Sequence, residues 1–233
     1  MKAILLDIEG TTTPIDFVHK TLFPFAKEKI GGYVAENFDA INLEIELLKK
    51  EYKKDFSEQI YGRDFRDTEP ETIAEYLKFL IEIDRKSTPL KSLQGKIWQK
   101  GYESGEIQSV IFEDVPRAFE RWKSEEKQIA IYSSGSVLAQ KLIFKYSNFG
   151  DLTKYISSYF DTNTGHKREA ESYVKIAYAL NHPPKRVAFV SDIPQELDAA
   201  RTSGFETFIS IREGNAKIEN QAKHQVIYGF DEI

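Results

Sequence analysis

The chain has 233 residues, no cysteine, and 32 Lys and Arg residues against 37 Asp and Glu, which gives a formal charge of −5. The absence of cysteine excludes disulfides, thiolate zinc sites and a cysteine nucleophile, and the lack of a basic balance argues against a nucleic-acid partner. The hydrophobic fraction of 41% is typical of a globular chain. With no apolar run of eighteen residues and no signal-type N-terminus, we expect a cytoplasmic monomer that does not bind membranes.

The first fourteen residues carry the strongest local signal. An apolar run at residues 3–6 predicts a buried strand, and Asp7, Glu9, Gly10 and three threonines follow it before Pro14. In an open parallel sheet, side chains just past a strand end project into the crevice where ligands bind. Asp7 is therefore placed to react or to hold a metal, although a solvated turn produces the same local pattern.

The apolar spacing then becomes helical for about ninety residues. Three helical faces are formed by Ile41, Ile45 and Leu48, by Ile73, Tyr76, Leu77, Leu80 and Ile81, and by Leu90, Leu93 and Ile97. This block predicts an all-helical insertion at residues 15–105 within a core made of residues 1–14 and 106–233.

Strands and helices alternate again after the insertion. Strands are predicted at residues 129–132, 186–190, 207–211 and 226–228, with a helix at residues 136–145. Alternation of this kind predicts an α/β fold, a Rossmann-like doubly wound parallel sheet with helices on both faces. The first strand must join this sheet, because it would otherwise have no partner.

A serine cluster follows the second predicted strand. Ser133, Ser134 and Ser136 stand where this strand gives way to a helix. Hydroxyls and free backbone N–H groups at a helix N-terminus favour an anion, so a phosphate could bind here. Alternatively, Ser136 is only a helix N-cap and the other serines are turn residues.

Two further residues complete a possible site at the same sheet edge. Lys167 precedes a helix, an unfavourable place for a cation unless an anion is nearby. Asp192 ends a strand, so that Asp7 and Asp192 could together offer oxygen ligands to Mg²⁺, although Asp192 could also cap the next helix. Glu196, one turn later, either supports the site from behind Asp192 or is an ordinary helix-start charge, and the second interpretation is favoured.

Taken together, Asp7, Ser133, Lys167 and Asp192 resemble the four motifs of the haloacid dehalogenase-like hydrolases, and the helical insertion resembles the mobile cap of that superfamily. Glu9 stands where most of its phosphatases have Asp. With glutamate at this position, the sequence is similar to the enolase-phosphatase, or acireductone synthase, family. The matching runs are residues 7–12, 17–19, 22–24, 98–105, 131–136, 165–167 and 171–173.

The family resemblance implies a small-molecule substrate, 2,3-diketo-5-methylthiopentyl 1-phosphate, which is enolised and then dephosphorylated to the acireductone of methionine salvage. It also implies one Mg²⁺ per subunit. Asp7 would be the nucleophile and a metal ligand. Glu9 would contact the metal through its side chain or its backbone and serve as the acid and base. Ser133, Ser134 and Lys167 would bind the phosphate, Lys167 also acting in catalysis, and Asp192 would complete the metal site.

Two other interpretations remain open at the level of sequence. A receiver-like signalling domain also combines a strand-end Asp, acidic partners, a hydroxyl residue and a Lys, but it does not need a helical insertion. A capped phosphatase acting on another small phosphate ester would share all four core motifs.

Overall fold

The computed structural model describes residues 1–216 and 223–233. The chain divides into two compact units. Met1–Val18 and Gln108–Ile233 form one, the core unit, and His19–Ile107 form the other, the helical unit. None of the helices in the described part of the chain combines the length and the apolar character needed to cross a membrane.

The core unit is built on a parallel sheet. In the described residues its strands are β1 (Ala3–Leu6), β2 (Gln128–Tyr132), β3 (Ile156–Phe160), β4 (Val187–Ser191), β5 (Glu206–Ser210) and β6 (Gln225–Ile227). Their order across the sheet is β3-β2-β1-β4-β5-β6, with all neighbours parallel. The chain therefore adds β2 and β3 on one side of β1 and then crosses over to add β4, β5 and β6 on the other side. This order confirms the doubly wound fold. Ligands of such sheets bind beyond the carboxyl ends of the strands, at this switch point.

The helices follow the predicted alternation. In chain order they are α1 (Ile15–Phe17), α2 (Phe23–Glu36), α3 (Asn42–Ser57), α4 (Pro70–Glu82), α5 (Thr88–Glu103), α6 (Asp114–Ser124), α7 (Val137–Lys145), α8 (Ala170–Ala179) and α9 (Pro194–Thr202). A π-helical segment, Val18–Leu22, joins α1 to α2. The first residue of that segment belongs to the core unit and the rest to the helical unit.

Strand register brings three of the predicted site residues to within one residue of the same level at the sheet edge. Leu6 at the end of β1 is aligned with Ile131 of β2 and with Val190 of β4. Since β1 lies between these two strands, Asp7 leaves the sheet between Ser133 on one side and Asp192 on the other. The strands are held by complete burial of their apolar runs, with all four residues of β1 at 0% exposure.

The sequence prediction lacks β3 and α6. β3 is an edge strand with two serines and only partial burial, so it has neither an apolar run nor a clear alternation. α6 is rich in charge, but Val115, Ala118, Phe119 and Trp122 form a buried stripe at helical spacing. That stripe was the available signal, because a period of 3.6 identifies a helix even when most of its residues are polar.

The helical unit buries the three predicted faces. Ile41, Ile45 and Leu48 are at most 4% exposed, and the faces of α4 and α5 are buried as well. The tyrosines of its aromatic cluster differ in their polar partners. The hydroxyl of Tyr76 donates to Asp55 Oδ2 at 2.8 Å, and Arg85 pairs with the other oxygen of that carboxylate at 3.1 Å. The buried hydroxyl of Tyr61 has no hydrogen-bond partner among the described residues.

Removal of these two hydroxyls should affect stability differently. Tyr76→Phe leaves the buried Asp55 carboxylate short of one donor, so we expect the free energy of unfolding to fall by about 1.5–3 kcal/mol. Tyr61→Phe removes a polar atom that makes no bond, so stability should be unchanged or slightly higher. Urea unfolding followed by circular dichroism measures both. Equal losses in the two variants would contradict the contribution assigned to the Asp55 hydrogen bond.

Candidate active site

The turn after β1 holds Asp7 in place. The Asp7 side chain is 3% exposed, and its Oδ1 accepts a hydrogen bond from the backbone N–H of Ile8 at 2.8 Å. The chain then folds back on itself, because the N–H groups of residues 11, 12 and 13 all donate to the carbonyl oxygen of Ile8. Asp7 therefore sits at the sheet edge at the start of a short turn whose backbone is tied to the Ile8 carbonyl.

Gly10 is required by this turn. Its φ of +68° lies in the left-handed region, and a Cβ atom there would stand 2.4 Å from Asp192 Oδ2. Only glycine combines that conformation with so close an approach. The Asp7 turn and Asp192 thus pack directly against each other, as sequence reasoning expects for two strand ends at one crevice.

Lys167 is the charge centre of the site. Its Nζ atom lies 2.7 Å from Asp7 Oδ1 and 2.6 Å from Glu196 Oε2, and its side chain is only 8% exposed. Burial would lower the pKa of Lys167, but the Asp7 and Glu196 carboxylates outweigh it and raise that pKa above its usual value. The lysine is therefore a buried, fixed cation held by two carboxylates.

Three hydroxyl groups hold the backbone that carries Lys167. Tyr132 donates to the carbonyl of residue 165, Ser172 to that of residue 166 and Tyr173 to that of Lys167 itself, at 2.7–2.8 Å. The donors come from β2 and α8, so strand and helix together fix the loop. These hydrogen bonds couple the loop at residues 165–167 to the first turn of α8.

The favoured interpretation of Glu196, as only a helix-start charge, is wrong, and the alternative of a supporting role in the site agrees with its contacts. Its carboxylate lies in the first turn of α9 but folds inward to pair with Lys167, and its side chain is 12% exposed. Ser191 Oγ lies 3.2 Å from Glu196 Oε2 and 3.1 Å from Asp7 Oδ2, so its hydroxyl can donate to either. Burial and the Asp7 charge raise the pKa of Glu196 to about 7.

Sequence reasoning missed both Ser191 and the inward turn of Glu196. The available signal was the run from residue 190 to residue 196, in which the strand-end hydroxyl and the acid one helical turn later flank Asp192. An acid in a first helical turn is common for reasons of the helix dipole alone, so this signal could not separate the two roles.

The three serines of the predicted cluster differ in what their side chains contact. Ser133 is 1% exposed, and its Oγ accepts from the N–H of Gly135 at 3.1 Å and lies 3.4 Å from Glu9 Oε2. Ser134 is partly exposed on the same loop. Ser136 is the N-cap of α7, since its Oγ accepts from the N–H of Ala139 at 3.3 Å. The capping alternative therefore holds for Ser136, while Ser133 faces the Asp7 turn through Glu9.

Asp192 is buried and does not cap a helix. It is 9% exposed, and the N-cap of α9 is Ile193, which makes no side-chain capping bond. Burial and the charge of Asp7 raise the pKa of Asp192 to about 7. A carboxylate whose charge is disfavoured by its surroundings is stabilised by a cation, so this residue fits a divalent metal.

Other oxygen atoms around the turn also fit a hydrated cation. The hydroxyls of Thr11 and Thr13 and the amide oxygen of Asn215 are buried without a hydrogen-bond partner in the described structure. The described residues contain no group of three acidic or histidine side chains that could hold a metal by themselves. Mg²⁺ is commonly held by one or two carboxylates with water and substrate phosphate as the other ligands, and this donor set suits that pattern.

The arrangement is suited to phosphoryl transfer. The strand-end carboxylate of Asp7 faces the fixed cation of Lys167 and the hydroxyl of Ser191 at the end of the neighbouring strand, and it is close enough to Asp192 to raise the pKa of that second carboxylate. Catalysis of this reaction consists mainly of holding the phosphate in line with a nucleophile and offsetting its charge.

Comparison with known proteins gives a consistent result. A family model described as haloacid dehalogenase-like hydrolase matches residues 1–204. A Synechococcus elongatus protein called enolase-phosphatase E1 is 49% identical over 232 residues, 99% of this chain and 96% of its own length. A Leptospira borgpetersenii protein of the same name is 48% identical over 220 residues, 94% of this chain and 92% of its own.

A solved structure agrees with these matches. The crystal structure of the UTR4 protein (Unknown transcript 4 protein) from Saccharomyces cerevisiae superposes with a TM-score of 0.80 at 35% identity, and the match covers 100% of this chain and 99% of that one. The present chain belongs to the enolase-phosphatase family of the haloacid dehalogenase-like hydrolases.

Proposed function

We propose that this chain enolises 2,3-diketo-5-methylthiopentyl 1-phosphate and then hydrolyses its phosphate ester, giving the acireductone 1,2-dihydroxy-3-keto-5-methylthiopentene and phosphate in methionine salvage. The observation that carries the proposal is the buried Lys167 placed 2.7 Å from the strand-end Asp7. The full-length similarity to proteins called enolase-phosphatase E1 supports this substrate over other phosphate esters.

Asp7 is the proposed nucleophile. An oxygen of its carboxylate forms a bond to phosphorus while the bond from phosphorus to the C1 oxygen of the substrate breaks, and an acyl phosphate results. A carboxylate attacks as the anion and so requires no separate general base for this step. Oδ1 is engaged by Lys167 and by the N–H of Ile8, which fixes the plane of the carboxylate.

Glu9 is the proposed acid and base. Its side chain points toward Ser133, on the β2 side of Asp7. There it can give a proton to the departing C1 oxygen and later take one from the water that attacks phosphorus, which releases inorganic phosphate and restores Asp7. With the side chain used in this way, the main-chain carbonyl of Glu9 is its proposed contact with the metal.

Charge compensation comes from the chain itself and from one proposed Mg²⁺ per subunit. Lys167 clamps a phosphate oxygen, and Ser133 and Ser134 bind others on the opposite side. Asp7, Glu9 and Asp192 would hold the metal, and enzymes of this family are in general Mg²⁺-dependent. When bound, the metal supplies Lewis-acid polarisation of the substrate oxygens and offsets their negative charge.

The remaining expectations are also proposals. We propose that residues 19–107 are a helical cap and that the protein acts as a cytoplasmic monomer on a small phosphate ester. All of the site residues described above come from the core unit.

A substrate panel tests the proposed activity. Purified protein with Mg²⁺ is given the diketo phosphate or one of several small sugar and acid phosphates, and phosphate release is followed over many turnovers. We expect the diketo phosphate to have the highest kcat/KM. A higher kcat/KM for another ester would replace the substrate assignment, and a single turnover followed by stable phosphorylation would indicate a receiver-like switch.

Removal of divalent metal should nearly abolish turnover. After treatment with EDTA and desalting, we expect activity at a few per cent of the loaded enzyme, because the metal stabilises transition-state charge by several kcal/mol. Added Mg²⁺ should restore activity, and Ca²⁺ should restore little because its coordination is looser. Undiminished turnover after exhaustive chelation would exclude the metal site.

A further inference from the structure

The loop after β5 reaches the Asp7 turn from the far side of Asp192. Arg212 anchors this loop through a buried two-point ion pair with Asp114, at 3.1 and 2.8 Å. The Arg212 guanidinium also lies 4.6 Å from the ring centre of Phe112 and 4.9 Å from that of Phe230. The backbone N–H of Asn215 then donates to the carbonyl of Arg212 at 3.2 Å. Asn215 is therefore tied directly to the anchored Arg212.

The two ends of the Asn215 amide differ in their partners. Its Nδ2 donates to the carbonyl oxygen of Gly10 at 2.9 Å and so ties the loop to the turn that carries Asp7 and Glu9. Its Oδ1 is buried without a hydrogen-bond partner in the described structure. A buried amide oxygen without a donor is unfavourable, and native structures pair most such atoms.

The unpaired oxygen lies beside Asp192. A Cβ atom built on Gly10 would be 2.9 Å from Asn215 Oδ1 and 2.4 Å from Asp192 Oδ2. The two oxygens are therefore at most about 5.3 Å apart, the sum of those distances. A water molecule bound to a cation at Asp192 could reach Oδ1 and supply the missing donor.

We propose that Asn215 is a positioning residue of this active site. Its Nδ2 fixes the Gly10 carbonyl and with it the Asp7 turn, while its Oδ1 accepts a hydrogen bond from water on the Mg²⁺ held by Asp192. This inference rests on the metal site of the proposed function. Residues of this kind behind metal ligands commonly change metal affinity by ten- to a hundredfold when they are mutated.

Calorimetric titration of Mg²⁺ into the substrate-free protein tests the proposal. We expect Asn215→Ala to weaken Mg²⁺ binding by about tenfold or more. Asn215→Asp retains an acceptor at Oδ1, so it should bind Mg²⁺ more tightly than Asn215→Ala does. The matched control is Asn148→Ala, which removes another asparagine that ties two segments together through backbone hydrogen bonds, in this case to both the N–H and the carbonyl of Ile111.

The possible results distinguish failure of the Asn215 role from failure of the proposed metal site. Asn148→Ala should bind Mg²⁺ within twofold of wild type, even if both alanine variants lose similar thermal stability. Wild-type affinity in Asn215→Ala, equal weakening in Asn148→Ala, or equal affinities in the two Asn215 variants would overturn the role of Asn215 alone. A wild-type protein that binds no Mg²⁺ would overturn the proposed metal site itself.

Discussion

Replacement of Asp7 by asparagine is expected to lower phosphate release by at least about 10⁴-fold, since loss of a covalent nucleophile removes the main reaction path. The amide has nearly the shape of the carboxylate and can still accept the hydrogen bond from the N–H of Ile8. The variant should therefore fold. Asp151→Asn makes the same chemical change at an exposed turn of the core unit and should retain full activity.

The same variant separates the two half-reactions. Enolisation requires polarisation of a ketone but no bond to phosphorus, so Asp7→Asn at saturating Mg²⁺ should still exchange the C1 protons of the substrate with deuterated water. Proton NMR follows this exchange directly. Exchange at the background rate would mean that Asp7 is needed for enolisation as well, and phosphate release at wild-type rates would remove Asp7 from the nucleophile role.

Replacement of Lys167 by alanine should reduce both activity and stability. Loss of one charge clamp on the phosphate typically costs about 10²–10³ in turnover. Asp7 and Glu196 would also face each other without the cation that now separates them, so we expect the free energy of unfolding to fall by about 3 kcal/mol in the absence of Mg²⁺. On sequence alone, a solvated lysine would have left stability almost unchanged.

A matched control distinguishes the two effects of that variant. Lys96→Ala removes a lysine that pairs with the buried Glu44 at 2.6 Å in the helical unit, and it should leave kcat unchanged. Activity is measured at a temperature at which circular dichroism shows both variants to be folded. Wild-type turnover in folded Lys167→Ala would assign Lys167 a purely structural role.

Local sequence patterns were sufficient for most of the fold. The apolar runs of β1, β2 and β4 and the amphipathic faces of α4 and α5 each identify their element, because burial requires a definite spacing. β3 was not predicted from the sequence, because an edge strand needs less apolar surface than a central strand. The placement of Asp7, Ser133 and Asp192 at one edge followed from the parallel sheet, in which strand ends lie side by side.

The interior charge network was less predictable. Whether Lys167 and Glu196 are solvated or buried depends on the distance between two loops 29 residues apart in the chain. No local pattern encodes that distance. Asn215 was not predicted for the same reason, because its partner Gly10 is 205 residues away. Side chains that matter through long-range pairing require the folded structure.

The central claim is that Asp7 carries the phosphoryl group, and chemical trapping tests it most directly. The enzyme is mixed with the diketo phosphate and Mg²⁺, quenched during turnover and treated with borohydride, which reduces an aspartyl phosphate to homoserine. Peptide mass spectrometry should then find homoserine at position 7, only when substrate is present. Phosphate release without homoserine at position 7, or with homoserine at another acidic residue, would contradict the account.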